Sequence, residues 1–271
     1  VTLQIHSPIY VILVNLIKLE LDVETTQALL YTLCMFASDE CDYGFSCREN
    51  CNIILNDFGF VSKISSYMEM GNVEIQIQIM WIIAQVLSKT TLISRVCQDV
   101  FCDAISTAFG NPAVSENSVL NEITLYVVGS LACLCESDTD IFSPDNIAFV
   151  RKLAMHSSFK IRSIAAFSLL RIAEARKSYD DLTHGFMLCV TDLLSGQDDA
   201  KKIKWLTLLR KLVDDQNGTE ECEEFINRIK DANLYDGVQE LLDDENDEIS
   251  EAAQKFIDTC CDNDLELRIS E

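Results

Sequence analysis

Residues 71–88, GNVEIQIQIMWIIAQVLS, contain the pattern that decides the fold. Four of the apolar residues, spaced 4, 3 and 4 positions apart, are Ile75, Ile79, Ile82 and Val86. This spacing places them on one face of a helix. Residues 73–79 also alternate apolar and polar side chains, as a half-buried strand does, but the helical period accounts for the whole stretch. The stretch therefore predicts a helix with one apolar face, preceded by a polar turn.

The same pattern, a polar turn followed by an amphipathic helix, occurs in six copies. The polar turns begin near residues 21, 71, 116, 157, 197 and 245. Aligned on the helices, the equivalent positions are Leu30, Trp81, Tyr126, Phe167, Leu206 and Gln254. Their spacings of 51, 45, 41, 39 and 48 residues average about 45, which is the period of armadillo and HEAT units.

This period predicts an all-α fold, an armadillo-type α-α superhelical solenoid of about six repeats. Only 9 Gly and 3 Pro occur in 271 residues, which leaves little material for β-turns and favours helix throughout. We expect a single domain over residues 1–271, with the last repeat near 217–261 and an acidic tail at 262–271. Stacked repeats expose a concave face that binds extended partners, so the sequence points to binding before catalysis.

The net charge of −23 is unevenly distributed. Residues 214–271 hold 20 Asp or Glu and 4 Lys or Arg, a net charge of −16. Nucleic acid and anionic membranes are poor partners for such a field, whereas a basic protein or peptide is a good one. The alternative is a solvated acidic surface that aids solubility.

The 12 cysteines are scattered through predicted helices and follow no secretory leader. We expect free thiols in a reducing compartment, the cytoplasm or the nucleus. No apolar run reaches the roughly 20 residues that span a bilayer, so no membrane partner is expected. The sequence begins at Val1 and not at Met, which is typical of a piece of a longer protein.

A second face of the quoted helix holds the candidate binding residues, Glu74, Gln78, Trp81 and Gln85. A Trp among polar residues is unusual, because large apolar side chains normally point inward. Two interpretations fit the spacing. Trp81 lines an exposed groove, or it fills a seam between neighbouring repeats.

An aromatic residue recurs at the Trp81 position in three consecutive copies. The equivalent stripes are Val119, Ile123, Tyr126 and Ser130; Lys160, Ile164, Phe167 and Arg171; and Asp199, Ile203, Leu206 and Arg210. Aromatic faces at this spacing can receive the aliphatic stems of Lys or Arg, with cation–π attraction to the ring. A peptide with basic side chains would fit such a ladder. The alternative is a recurring core position, which any repeat protein must have.

The C-terminal sequence resembles a known family. An amphipathic helix over residues 225–232 is followed by LYDGVQELL at 234–242 and by ENDEI at 245–249. This succession resembles the last armadillo repeat of importin-α, the nuclear-import adaptor, and residues 72–88 and 127–131 resemble inner helices of that family. The resemblance implies a protein that binds basic nuclear localisation signals in a concave groove and is found in the cytoplasm and the nucleus.

In that family, a Trp on each inner helix stacks on lysine stems, and an Asn one turn later holds the peptide backbone. Trp81 keeps the Trp, and Gln85 takes the place of the Asn. The other pairs are Leu30 with Cys34, Tyr126 with Ser130, Phe167 with Arg171, and Leu206 with Arg210. The resemblance thus implies peptide binding by Glu74, Gln78, Trp81, Gln85, Tyr126, Ser130, Phe167 and Arg171. Because no copy keeps the Trp–Asn pair, an armadillo scaffold that has lost signal binding is the alternative.

In the same family, the acidic last repeat contacts the nuclear export receptor. The resemblance implies such a contact for Glu240, Asp243, Asp244, Glu245, Asp247 and Glu248. The alternative is a solvated helix start, where acidic residues are favoured by the helix dipole.

The sequence shows no motif for catalysis. Cys41, Cys47 and Cys51 are spaced 6 and 4 apart, and Cys97 and Cys102 are spaced 5 apart, wider than the usual Cys-x2-Cys pairs of zinc sites. The three His residues lie in no metal or nucleophile motif, and no glycine-rich phosphate loop is present. We therefore expect no enzyme, no metal and no cofactor.

Overall fold

In a computed structural model the chain is helical almost throughout. The structure describes residues 8–38, 47–56, 59–91, 93–112, 117–134, 142–215 and 219–269, and within these ranges it has no β-strand. The predicted all-α class is therefore confirmed. Within the same ranges, no helix is both long enough and apolar enough to cross a membrane.

The α-helices, numbered in chain order, are α1 Pro8–Ile17, α2 Val23–Ala37, α3 Cys47–Asn56, α4 Ile64–Glu69, α5 Val73–Lys89, α6 Arg95–Gly110, α7 Ser118–Leu134, α8 Pro144–Leu153, α9 Phe159–Arg176, α10 His184–Ser195, α11 Asp199–Asp214, α12 Glu220–Asp231, α13 Leu234–Gln239 and α14 Asp247–Ile269. Short 3-10 turns occupy Val61–Lys63 and Glu240–Asp243.

The chain forms two compact units. Unit 1 comprises Val1–Leu134 and Ile141–Asn146, and unit 2 comprises Cys135–Asp140 and Ile147–Glu271. In unit 1 the long helices α2, α5 and α7 pack side by side in chain order, and α4 and α6 pack behind them. In unit 2 the long helices α9, α11 and α14 pack side by side in the same way, and α10, α12 and α13 form the second layer. The predicted single domain over the whole chain stays a prediction.

The polar turns recognised in the sequence are helix N-caps. The side chains of Asp22, Asn72, Asn117, Asp198 and Asn246 each accept a hydrogen bond from a backbone N–H in the first turn of the following helix. Such caps satisfy N–H groups that have no partner within the helix. Ser158 precedes α9 in the same position but makes no side-chain cap hydrogen bond. The five caps explain why α2, α5, α7, α11 and α14 begin where they do.

The apolar stripe of the quoted helix faces the core as predicted. Ile75, Ile79, Ile82 and Val86 are all buried in unit 1. The helical period therefore prevails over the strand-like alternation, because it buries one continuous apolar face against the neighbouring helices.

The last helix, α14, continues to Ile269. Residues after Cys261, which the sequence analysis assigns to an acidic tail, therefore belong to a helix up to that position. The polar segment 216–218 lies outside the described residues.

Candidate functional site

The long helices of unit 1 present one exposed aromatic residue each, at the same distance from the N-cap. Tyr31, Trp81 and Tyr126 are each the ninth residue after the caps Asp22, Asn72 and Asn117. Their exposed fractions are 60%, 46% and 51%. Since α2, α5 and α7 pack side by side, the three aromatic side chains form a row on one layer of unit 1, which we call the aromatic row.

The first member of this row corrects the sequence alignment. Leu30, which was aligned with Trp81, is fully buried in the core. Tyr31 holds the exposed position, one residue later. The apolar stripe could not distinguish these neighbours because both are apolar, whereas counting from the cap Asp22 would have found Tyr31.

The last two copies need the same correction. The ninth residues after the caps Asp198 and Asn246 are Thr207 and Lys255. Leu206, which was aligned with Trp81, is fully buried in unit 2, as is Trp205 beside it. No aromatic residue therefore stands at this position on α11 or α14.

A groove of about 420 Å³ lies between α2 and α5 in unit 1. Its lining residues are Tyr31, Cys34, Met35, Ser38, Gln78, Trp81 and Gln85. Three of the predicted binding residues, Gln78, Trp81 and Gln85, thus meet in one place, together with Cys34. Tyr31, Met35 and Ser38 were missed by the sequence analysis. The sequence left two interpretations of Trp81, an exposed groove or a seam between neighbouring repeats. In the structure the groove itself runs along the seam between α2 and α5, and Trp81 lines it.

The groove combines two aromatic side chains with a polar floor. The Cys34 thiol donates a hydrogen bond to the Gln78 backbone carbonyl, with 3.4 Å between sulfur and oxygen. The side-chain oxygen Oε1 of Gln78 is buried and accepts no hydrogen bond within the described part of the chain. Burial raises the pKa of the Cys34 thiol to about 12, so this group is a neutral part of the floor at physiological pH.

The remaining predicted residues of unit 1 lie along the same helices. Glu74 is exposed in the first turn of α5, two helical turns before Trp81. On α7, Ser130 is half-buried and follows Tyr126 by one turn. Their positions match the predicted face, while peptide binding by these residues stays a prediction.

In unit 2, Phe167 is the ninth residue after Ser158, and its ring is covered by a neighbour on its own helix. The guanidinium carbon of Arg171 lies 5.2 Å from the centre of the Phe167 ring. Arg171 Nη1 also donates a hydrogen bond of 2.8 Å to Glu174 Oε2. Phe167 packs further against the buried Trp205 ring of α11, with 5.9 Å between the ring centres.

Glu174 joins two helices of unit 2. Its other carboxylate oxygen, Oε1, accepts a hydrogen bond from Lys211 of α11. Burial acts to raise the pKa of the Glu174 carboxyl, but the hydrogen bonds and charges of Lys211 and Arg171 outweigh it and hold the pKa below its ordinary value. The carboxylate therefore stays ionised and fixes Arg171 over the ring.

The acidic residues of the last repeat lie in the 3-10 turn Glu240–Asp243, directly after this turn and at the start of α14. Those that are exposed are Glu240, Asp243, Glu245, Asp247 and Glu248. Asp244 is half-buried, pairs with Lys202 of α11 at 3.7 Å and accepts a hydrogen bond from the Asn246 N–H. Asp247 and Glu248 occupy the first turn of α14, where the helix dipole favours negative charge. A partner contact at these residues stays a prediction.

The cysteines considered for zinc are only partly described. Cys41 lies outside the described residues, and so does the Cys47 side chain. Within the described part of the chain, no three His, Cys, Asp or Glu side chains are grouped as a metal site requires.

No protein-family model and no curated protein matches this sequence. Solved structures of similar fold do match. An engineered protein solved by the Northeast Structural Genomics Consortium shares 18% identity, with 93% of this chain and 97% of that chain covered and a TM-score of 0.68. A designed armadillo repeat protein in complex with the peptide (KR)4 shares 14% identity, with 92% and 98% covered and a TM-score of 0.69. These similarities show that the chain has an armadillo-type repeat fold.

Proposed function

We propose that this protein is a peptide-binding armadillo scaffold and that unit 1 binds an extended basic peptide along its aromatic row. The observation that carries the proposal is the groove between Tyr31 and Trp81. Two exposed aromatic side chains on neighbouring helices flank a floor that contains Cys34 and Gln78. Such a groove receives the aliphatic stem of a Lys or Arg by cation–π and apolar contact with the rings.

Charge supports a basic ligand over an acidic one. Unit 1 holds 15 Asp or Glu and 5 Lys or Arg, a net charge of −10. Glu74 is exposed on the same face of α5 as Trp81. A negative field of this kind attracts basic peptides and accelerates their association, most strongly at low ionic strength.

Similarity of fold adds support. The designed armadillo repeat protein with the same fold was solved with the basic peptide (KR)4. A repeat protein of this fold can therefore bind a peptide of alternating Lys and Arg residues. We extend that mode of binding to the present chain because its own exposed aromatic residues stand one per long helix in unit 1.

We further propose that the ligands are nuclear localisation signals and that the protein acts as an importin-α-like adaptor in the cytoplasm and the nucleus. The resemblance of the C-terminal repeat motivates this finer assignment. In this role, Glu240, Asp243, Glu245, Asp247 and Glu248 contact an export receptor, and Asp244 anchors the turn through Lys202. No catalytic step and no cofactor are part of the proposal.

The test is calorimetric titration with a basic bipartite localisation peptide at low and physiological salt. We expect micromolar or tighter binding that falls about five- to thirtyfold in Trp81→Ala, because an aromatic contact to a partly desolvated cation contributes about 1–2 kcal/mol. Val96→Ala is the control, since Val96 is also an exposed apolar side chain of unit 1 but lies on α6. Equal binding by the wild type and Trp81→Ala would contradict the proposal.

The second candidate is an armadillo scaffold for another protein complex that has lost signal binding. It is favoured by unit 2, where Arg171 and Lys211 surround Glu174 and the positions equivalent to Phe167 on α11 and α14 hold Thr207 and Lys255. Absence of binding to the basic peptide at low salt, with an intact fold, would select this candidate over the first.

A further inference from the structure

Arg171 occupies the place that a ligand cation takes in the proposed mode of binding. Its guanidinium lies over the Phe167 ring and donates to Glu174. An aromatic ring beside a carboxylate can bind the charged group of a Lys or Arg. The ring supplies cation–π attraction, and the carboxylate accepts a charge-assisted hydrogen bond. In unit 2 both groups are satisfied from within the chain.

The corresponding aromatic residues of unit 1 have no such cover. Four residues after the aromatic residue, where α9 has Arg171, α2 has Met35, α5 has Gln85 and α7 has Ser130. None of these is a cation. Tyr31, Trp81 and Tyr126 remain exposed, whereas Phe167 is half-buried.

Several other cations of this region are also paired with carboxylates. Residues 147–213 hold 12 Lys or Arg and 6 Asp or Glu, so the segment alone would attract acidic partners. In the structure, ion pairs join Arg151 and Arg176 to Asp181, Arg162 to Asp192, Lys202 to Asp244 and Arg210 to Asp214. These pairs are internal to the chain and favour a structural use of the positive charge over capture of an acidic ligand.

We infer that Phe167 and Glu174 form a cation-binding subsite that Arg171 fills from its own helix, and that Arg171 thereby confines basic peptides to unit 1. The inference concerns the specificity of the binding proposed above and rests on it for its biological meaning. Removal of the Arg171 side chain exposes the ring and releases Glu174 Oε2, while Lys211 stays on Oε1. The subsite is then open to a Lys or Arg of a ligand.

The experiment measures binding of the peptide (KR)4 to the full chain in a background that lacks the proposed unit 1 site. That background is the double variant Tyr31→Ala, Trp81→Ala. We expect it to bind the peptide at least about tenfold more weakly than the wild type. Addition of Arg171→Ala is expected to recover about tenfold or more of the affinity, because an aromatic face and one carboxylate oxygen become available. Further addition of Glu174→Gln is expected to remove the gain.

The matched control is Arg210→Ala in the same background. Arg210 is also paired with a carboxylate, Asp214, at 3.6 Å, and its removal changes the net charge equally without uncovering a ring. Arg171→Gln, which keeps a polar side chain, is the second variant in case Arg171→Ala does not fold. Thermal unfolding of each variant checks that it is folded.

No gain with Arg171→Ala or Arg171→Gln would overturn the inference, and so would an equal gain with Arg210→Ala or a gain that survives Glu174→Gln. Failure of the proposed function is distinguishable from these outcomes. If the wild type and the double variant bind the peptide equally, unit 1 is not the site, whereas the Arg171 variants still report on the subsite of unit 2.

Discussion

Tyr31 and Trp81 occupy equivalent places on neighbouring helices and line the same groove. Each is the ninth residue after an N-cap, Asp22 or Asn72, and each leaves about half of its side chain exposed. The caps and the packing of α2 against α5 together align the two rings. Each exposed aromatic residue of the row therefore stands at the same number of residues, nine, after its N-cap.

Leu30→Ala should mainly lower stability, whereas Tyr31→Ala should mainly weaken binding. Leu30 is fully buried, so its truncation should lower the free energy of unfolding by about 2–5 kcal/mol. Tyr31 is exposed, so its truncation should change stability by less than about 1 kcal/mol and weaken binding of the basic peptide. Urea denaturation and calorimetry measure the two effects. A large loss of stability in Tyr31→Ala would contradict the corrected register.

Asn72→Ala should destabilise unit 1 by about 1 kcal/mol through loss of a helix cap. The Asn72 side-chain oxygen accepts hydrogen bonds from the N–H groups of Glu74 and Ile75 at 2.9 and 3.2 Å, and from the Gln27 side chain at 3.4 Å. Ser158→Ala is the control, because Ser158 makes no side-chain cap hydrogen bond. Chemical denaturation of both variants should show a loss only for Asn72→Ala.

Glu174→Gln should reduce stability at neutral pH and have little effect in acid. The folded-state pKa of Glu174 lies below its ordinary value of 4.5, so its carboxylate stabilises the folded state above that pH. The contribution is lost as the pH falls through the lower folded pKa, because the protonated group no longer attracts Arg171 and Lys211.

Urea denaturation of the wild type and Glu174→Gln from pH 7 to pH 3 checks this dependence. The gap in stability between the two proteins should narrow below about pH 4.5. Glu251→Gln serves as the comparison, since Glu251 pairs with Lys255 on the exposed surface of α14 and exposed pairs contribute little. A gap that stays constant with pH would refute the proposed role of the carboxylate.

Cys34 should resist alkylation in the folded protein. With a pKa of about 12, only about 10⁻⁴ of the thiol is ionised at pH 8, and the thiolate is the reactive form. Cys261 on α14 is exposed and is the internal reference. Iodoacetamide labelling followed by mass spectrometry should modify Cys261 first, and Cys34 only after urea is added. Equal labelling rates in the folded state would contradict the raised pKa of the Cys34 thiol.

The sequence by itself determined the helices, the caps and the charge of this protein. Helical spacing in residues 71–88 and a polar cap before each long helix are local properties, set by hydrogen bonding and side-chain periodicity within one turn or two. The same spacing put Trp81 and Tyr126 on a separate helix face but left open whether that face is exposed or lies in the core, and the structure shows both side chains about half exposed.

Helical spacing alone did not decide between Leu30 and Tyr31, and only the tertiary structure gave Arg171 its role. Leu30 and Tyr31 are adjacent and apolar, so the packing of α2 against its neighbours selects which one is buried. Glu174 binds both Arg171, three residues before it, and Lys211, which is 37 residues away on the next long helix. Periodicity within one helix cannot specify such a contact, because it depends on how α9 and α11 lie side by side.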